Sequence, residues 1–163
     1  MINSFIFRKP SSEDGFFVSE LIQACPPLDT NSTYCNLLQC EHFSSTSVVV
    51  EADGKLVGFM SGYIIPERKN TLFIWQVAVG DEVRGQGMAG KMVEHILNRR
   101  ELNDIFFIET TITSENKASW SVFEKIAKHY SATLSKEVFF DKEKHFMGNH
   151  ESEVLVKIGP IKK

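Results

Sequence analysis

Leu72-Phe73-Ile74-Trp75-Gln76-Val77-Ala78-Val79, then Gly80-Asp81-Glu82-Val83, then Arg84-Gly85-Gln86-Gly87-Met88-Ala89, is the stretch that decides how this chain reads. Its first eight residues are a run of β-formers. Beyond the glycines, Ala89, Met92, Val93, Ile96 and Leu97 recur at helical spacing through to Asn98. A strand that opens through glycines into a helix start is a place to hold a phosphate. The N–H groups of the first helical turn lack intrahelical partners, and the helix dipole adds positive potential there. The segment points to a cofactor that carries a pyrophosphate.

Outward from this segment the pattern is β-α-α-β-β-β-α-β-α-β-β. Phe5 to Arg8 reads as a strand, and Ser11 with Asp14 has capping-box spacing ahead of a helix carrying Phe17, Val18, Leu21 and Ile22. Pro26-Pro27 ends that helix, and a short second one runs from Ser32 to Phe43. Ser47 to Ala52 and Lys55 to Ile65 are strands joined by the two-residue turn Asp53-Gly54. The returning strand holds Gly58 and Gly62, and Pro66 to Asn70 turns the chain into the deciding segment. After it come a strand from Asp104 to Thr111, a helix from Ser114 to Tyr130, and strands from Leu134 to Phe140 and Glu151 to Ile158. This is an α/β fold with a mixed, mostly antiparallel sheet of six or seven strands and about four helices, rather than a repeating βαβ array.

At 163 residues, 1–163 is expected to form one domain large enough to bury a core. A net charge of −3 argues against a nucleic-acid or anionic-membrane partner. No apolar run approaches the ~18 residues of a membrane span. The N-terminal residues Met1 to Lys9 lack an apolar signal segment, so a cytoplasmic setting is expected. Cys25, Cys35 and Cys40 are odd in number and suit neither a redox pair nor a zinc knuckle; reduced thiols and no metal are the expectation.

Gly85, Gly87 and Gly90 literally spell G-x-G-x-x-G, which raises a nicotinamide cofactor as an alternative. Against it, the preceding strand comes after three others, and Arg84 directly precedes the first glycine. Val77-Ala78-Val79 with Arg84-Gly85-Gln86-Gly87-Met88-Ala89 instead resembles the acyl-CoA-binding signature of the GNAT superfamily of N-acetyltransferases. That signature, Arg/Gln-x-x-Gly-x-Gly/Ala, is met by Arg84, Gly87 and Ala89. Asn116-Lys117-Ala118-Ser119-Trp120-Ser121-Val122-Phe123 is similar to the superfamily's second element. The Gly80-Asp81 pair departs from it, because a proline often stands there in the superfamily; the departure loosens the approach to the loop. A closer resemblance covers nearly the whole chain. Pro26 to Cys40, Phe59 to Tyr63, Pro66-Glu67-Arg68, Trp75 to Val79, Glu109-Thr110-Thr111 and the tail from His145 to Val154 resemble the diaminobutyrate acetyltransferases of ectoine biosynthesis.

The resemblance implies acetyl-CoA as cosubstrate and a small amino acid, L-2,4-diaminobutyrate, as acceptor at its γ-amine. Pantetheine would run along the strand edge at Val77, Ala78 and Val79, and the pyrophosphate would lie on the amides of Arg84 to Ala89. Asn116 and Ser119 would face the cofactor, although Asn116 could equally be a helix cap. An alkyl amine titrates near ~10.4, so freeing it at neutral pH costs about 4 kcal/mol, and a base is needed. Glu109, after Phe106-Phe107-Ile108, and Tyr34 are the catalytic candidates, with a structural hydrogen-bonding role open for Glu109. The superfamily's tyrosine acid has no counterpart, since Val122 and Phe123 occupy its positions.

Two ammonium groups on the substrate ask for carboxylates, so Asp29 and Glu109 are binding candidates; Asp29 could instead cap a helix. Tyr34 and Trp75 could wall the pocket, or Trp75 could be core. Arg68 could take the substrate carboxylate or simply be solvated, and His150 is a further candidate. A homodimer through the C-terminal strands is implied by the resemblance alone. Two other readings stay open: acetyl transfer to another small amine, and a non-catalytic acyl-CoA-binding module.

Overall fold

The structure, a computed structural model, describes residues 4–163, so the reading of the N-terminal segment from Met1 lies partly outside it. Among the described residues there are seven strands and four α-helices. In chain order they are β1 (Ile6–Arg8), α1 (Gly15–Gln23), α2 (Thr33–His42), β2 (Val48–Ala52), β3 (Lys55–Ile64), β4 (Thr71–Val79), α3 (Met88–Leu97), β5 (Phe107–Thr113), α4 (Lys117–His129), β6 (Thr133–Phe140) and β7 (Glu153–Gly159). The strand order is β1-β2-β3-β4-β5-β7-β6. The β4–β5 pair is parallel, whereas β1–β2, β2–β3, β5–β7 and β6–β7 are antiparallel. The mixed, mostly antiparallel α/β sheet expected from the element order is what the chain forms. Two compact units are distinguishable. One takes the chain up to Tyr63 with Ile74–Asn103, the other Ile64–Phe73 with Asp104–Lys163.

In the first unit, Val18, Leu21 and Ile22 of α1, with Cys25 just beyond the helix, pack with Cys40, Val49, Phe59 and Ala78. α3 buries the stripe read from the sequence, Ala89, Met92, Val93, Ile96 and Leu97, and Met88 with it. Gly58 has a packing reason. A Cβ there would lie 3.1 Å from Val50 Cγ2 and 3.4 Å from Met92 Sδ, so the glycine lets strand and helix approach. The β2–β3 turn is the two-residue Asp53-Gly54, with φ of 52° and 76°, joining the register pair Ala52 and Lys55. Ser32 caps α2 by accepting from Cys35 N at 3.1 Å. α1 is entered through a 3-10 turn, Ser12–Asp14, in which Asp14 accepts from Ser11 N at 2.7 Å.

Two arginines tie this unit together. Arg8 forks onto Asp14 through Nη1 and Nη2, both at 2.8 Å, and donates from Nε to Glu51 at 2.6 Å. Arg99, nearly buried, donates from Nη1 to the carbonyls of Ser44, Ser45 and Ser47 at 3.2, 2.9 and 2.7 Å.

In the second unit, the central β7 lies between β5 and β6. The strand expected over Asp104 to Thr111 is shifted to Phe107–Thr113. Phe106 N and Phe107 N both donate to Asn70 O, at 3.0 and 3.1 Å, and this shared acceptor sets where the parallel pairing begins. α4 likewise starts at Lys117 rather than Ser114, because Asn116 caps it.

Arg8 beside Asp14, with Ser11 N adding a further bond, holds the Asp14 carboxyl below its ordinary 3.8. A depressed acid stabilises the fold above its ordinary value, and that contribution is lost as pH falls through the folded value. Asp14→Asn is therefore expected to cost about 1–3 kcal/mol in urea unfolding near neutral pH. The gap to wild type should close as the pH is lowered from about 5 to about 2. An equal gap at both ends would contradict the role given to this ion pair.

Candidate active site

The turn after β4 is built to leave amides free. Gly80 N donates to Val57 O at 2.8 Å, and fully buried Val83 pins the 3-10 turn Asp81–Val83. A proline at position 80 could not make the Gly80 bond, so the departure noted above ties the loop down rather than loosening it. Gly85 and Gly87 then adopt left-handed φ of 77° and 68°. Side chains rarely hold such angles, so glycine is required at both. A Cβ at Gly85, Gly87 or Gly90 would meet nothing within 4 Å, so the space before the helix start is open. α3 begins at Met88, and Lys91 N makes its first bond, to Gly87 O at 3.1 Å. Met88, Ala89 and Gly90 thus present N–H groups without intrahelical partners. Arg84 folds back: Nε donates to Val79 O at 3.4 Å and Nη1 pairs with Asp81 at 3.0 Å. A pyrophosphate fits this donor set of glycine-lined, outward-facing amides with one guanidinium beside them.

β4 alternates along its length. Leu72, Ile74, Gln76 and Ala78 are buried, whereas Phe73, Val77 and Val79 are half-buried and Trp75 is exposed. Trp75 is 44% exposed and meets Tyr63 edge-on, with ring centroids 6.2 Å apart. It is a surface aromatic and not core. Tyr34, in the first turn of α2, is 69% exposed. Asp29 is exposed and does not cap α2, which Ser32 does. Its carbonyl accepts from Gln76 Nε2 at 3.1 Å, and Asn31 Nδ2 donates to Gln76 Oε1 at 3.2 Å. In the first unit, Gln76 thus gathers the loop carrying Asp29.

In the second unit, Glu109 is almost fully buried and lies in β5 opposite Lys157 of β7. Arg68 grips both of its oxygens, Nη1 on Oε2 and Nη2 on Oε1, the latter at 3.0 Å. The Arg68 side chain remains 47% exposed. The pair is a buried carboxylate held by an arginine whose side chain is half exposed. Asn116 caps α4, its side chain accepting from Ser119 N at 3.2 Å. Both residues therefore join in the cap, while the Asn116 amide nitrogen stays on offer. His150 has Nδ1 2.6 Å from Glu151 O and stacks at a tilt on Phe146, with centroids 4.6 Å apart. Among the described residues, no group of three or more His, Cys, Asp or Glu could hold a metal ion.

The sequence patterns do not single out Gln76 or its partners Gln39 and Asn36, and for Arg68 they offer a substrate-carboxylate contact or solvation but not its pairing with Glu109. A glutamine inside an apolar strand, and two amides three apart on α2, were the signal. Apart from the bond between Asn36 and Gln39, their side-chain partners lie 37 to 47 residues away, or 17 for Asn36, beyond any local pattern.

Comparison with known proteins identifies the family. The model of the acetyltransferase (GNAT) family matches residues 16–127. The chain is 54% identical over 154 residues to the L-2,4-diaminobutyric acid acetyltransferase of Methylotuvimicrobium alcaliphilum, covering 94% of this chain and 90% of that one. It is 43% identical to the Halomonas elongata enzyme of the same name, covering 94% and 80%. Among solved structures it resembles the diaminobutyrate acetyltransferase EctA from Paenibacillus lautus, in complex with its substrate L-2,4-diaminobutyric acid and coenzyme A. That match has a TM-score of 0.91 and 37% identity, covering 98% and 97%. A ribosomal-protein-S18-alanine N-acetyltransferase from Escherichia coli shares the fold, with a TM-score of 0.75, at 11% identity. With more than half its length inside the family model, the chain belongs to the GNAT family of acetyltransferases.

Proposed function

We propose that this protein transfers the acetyl group of acetyl-CoA to the γ-amine of L-2,4-diaminobutyrate, by direct attack of the amine on the thioester, for ectoine synthesis under osmotic stress. The observation that carries the cosubstrate half is the turn from Arg84 to Ala89. Its left-handed glycines and unpaired helix-start amides offer donors to a pyrophosphate and fill none of the space before them. The similarity to enzymes acting on diaminobutyrate supports the acceptor half.

Roles follow from what each residue offers. Val77, Ala78 and Val79 present strand backbone to the pantetheine amides, and an N–H near Val77 can donate to the oxygen that gains charge during attack. Val79 O already accepts from Cys25 Sγ and Arg84 Nε, both at 3.4 Å, so that carbonyl is shared. Arg84, Gly85, Gln86, Gly87, Met88 and Ala89 hold the phosphates, and Asn116 offers its amide nitrogen to the cofactor arm beside Ser119. Asp29 and Tyr34 receive the ammonium groups, with Trp75 as an aromatic wall. Glu109 takes the proton of the attacking amine, directly or through water, and doing so means releasing one arm of the Arg68 fork. Arg68, its side chain half exposed, then has a freed arm with which to meet the substrate carboxylate. His150 completes the substrate-binding set. A cytoplasmic setting belongs to the same proposal and is supported by three free cysteines.

A homodimer is part of the reading. β6 is the last strand in the sheet order, and Leu134 alone among its residues is even half-buried. Val138, Phe139 and Phe140 stand exposed on it at 60%, 45% and 40%. An apolar edge strand of this kind invites pairing with a second copy. Sedimentation should give a dimer that Phe139→Glu with Phe140→Glu converts to monomer; a monomeric wild type would overturn it.

The functional test is a turnover assay with acetyl-CoA and L-2,4-diaminobutyrate, following free thiol and product mass, with NMR to locate the acetyl group. Thiol release with acetylation at the γ-amine is expected. Glu109→Gln should lower kcat by about a hundredfold or more while acetyl-CoA affinity is retained. Cofactor binding without turnover would make the protein a non-catalytic acyl-CoA module, and an unaltered pH–rate profile in the variant would remove Glu109 as the base.

A further inference from the structure

Buried beneath the Asp29 loop is a line of polar side chains that no step above uses. Ser19 of α1, Asn36 and Gln39 of α2, and Gln76 of β4 are all buried, Asn36 and Gln39 completely. Ser19 Oγ donates to Asn36 Oδ1 at 2.6 Å, and Asn36 Nδ2 donates to Gln39 Oε1 at 2.9 Å. Gln39 Nε2 then faces Gln76 Oε1 at 3.5 Å, and Gln76 Nε2 ends the line on Asp29 O at 3.1 Å. Asn31 Nδ2 adds a second donor to Gln76 Oε1 at 3.2 Å, and Ser61 Oγ accepts from Gln76 N at 3.1 Å.

The line has a single polarity, and one backbone atom fixes it. A carbonyl oxygen can only accept, so Asp29 O requires Gln76 to present its amide nitrogen. Gln76 must then turn its oxygen toward Gln39 and Asn31, which both have to donate. Gln39 is left with its oxygen toward Asn36, and Asn36 with its oxygen toward the Ser19 hydroxyl. Reversing any one amide would set oxygen against oxygen or nitrogen against nitrogen in a buried place, where unpaired polar groups are costly. Helix α1, helix α2 and strand β4 thus hold the 29–31 loop in one register on the strand that also carries Trp75.

We infer that Gln76 is a positioning residue for the amine substrate: through Asp29 O and Asn31 it holds the Asp29 loop against β4 and so sets capture of the acceptor, apart from capture of the cosubstrate. This rests on the proposed role of Asp29. The apolar variant Gln76→Met deletes both loop bonds. Gln76→Glu keeps the acceptor for Asn31 and Gln39 but sets a carboxylate oxygen against Asp29 O. Asn31→Ala, in a partly exposed loop position, removes one bond without entering the core.

The test reads steady-state kinetics for both substrates, thermal unfolding, and amide hydrogen exchange of residues 28–32 in the substrate-free protein. Both Gln76 variants should raise KM for diaminobutyrate about tenfold or more, with KM for acetyl-CoA kept within about twofold. Gln76→Glu should be the worse of the two, and Asn31→Ala should move the same constant by about threefold. Exchange at 28–32 should quicken about tenfold in Gln76→Met. In an Asp29→Asn background, most of the Gln76→Met effect on KM should vanish, because both act through one loop. The exchange measurement needs no turnover, so it decides the anchoring even if the acceptor proves to be another amine. Unchanged exchange at 28–32, additive effects with Asp29→Asn, or equal rises in both KM values with a fall in Tm would each overturn the inference, leaving Gln76 as a core residue only.

Discussion

Strand β4 must satisfy two demands at once, and the rest of the molecule is arranged around that constraint. It buries Leu72, Ile74, Gln76 and Ala78 on one face, and it must end in a turn that leaves backbone donors unused. A helix start with unpaired amides is an unfinished structure that an anion completes. Gly80 N on Val57 O and the buried side chain of Val83 hold the approach rigid, while left-handed Gly85 and Gly87 swing the chain into α3. The apolar stripe of α3, seated where Gly58 leaves room beside Met92, then fixes the direction in which those amides point.

The polar interior follows a second logic. Each unit buries polar or charged groups, and the described bonds show how they are satisfied. In the first unit the amide line from Ser19 to Asp29 O places hydrogen bonds where hydrophobic side chains would fill space just as well. Such a line sacrifices some apolar burial and gains one register for a loop. In the second unit Glu109 is gripped by Arg68, and their fork fixes the carboxylate plane while the arginine side chain stays half exposed.

What was legible in the sequence depended on how local its cause was. Asp53-Gly54, Ser32 and the Ser11–Asp14 spacing act over two or three residues, and each does what its chemistry requires. The α3 stripe and the glycine turn were readable for the same reason. Phe107 as the start of β5 was not, because that boundary is set by Asn70 O, a partner 37 residues earlier in the chain. Arg68 reads either as a substrate-carboxylate contact or as a solvated turn residue, and its partner Glu109 lies 41 residues away, outside any local pattern. Asn116 reads first as a cofactor contact and second as a cap; the cap is present, and it uses the oxygen of the amide.

The central claim is that the turn between β4 and α3 is the pyrophosphate seat of a bound acyl-CoA. It is tested most directly by titrating isotope-labelled protein with coenzyme A and following the backbone amides by NMR. The expected result is saturable shifts centred on Gly85, Gln86, Gly87, Met88 and Ala89, accompanied by Val77 and Val79. Saturable binding that leaves those amides unmoved, or no binding at all, would contradict the account.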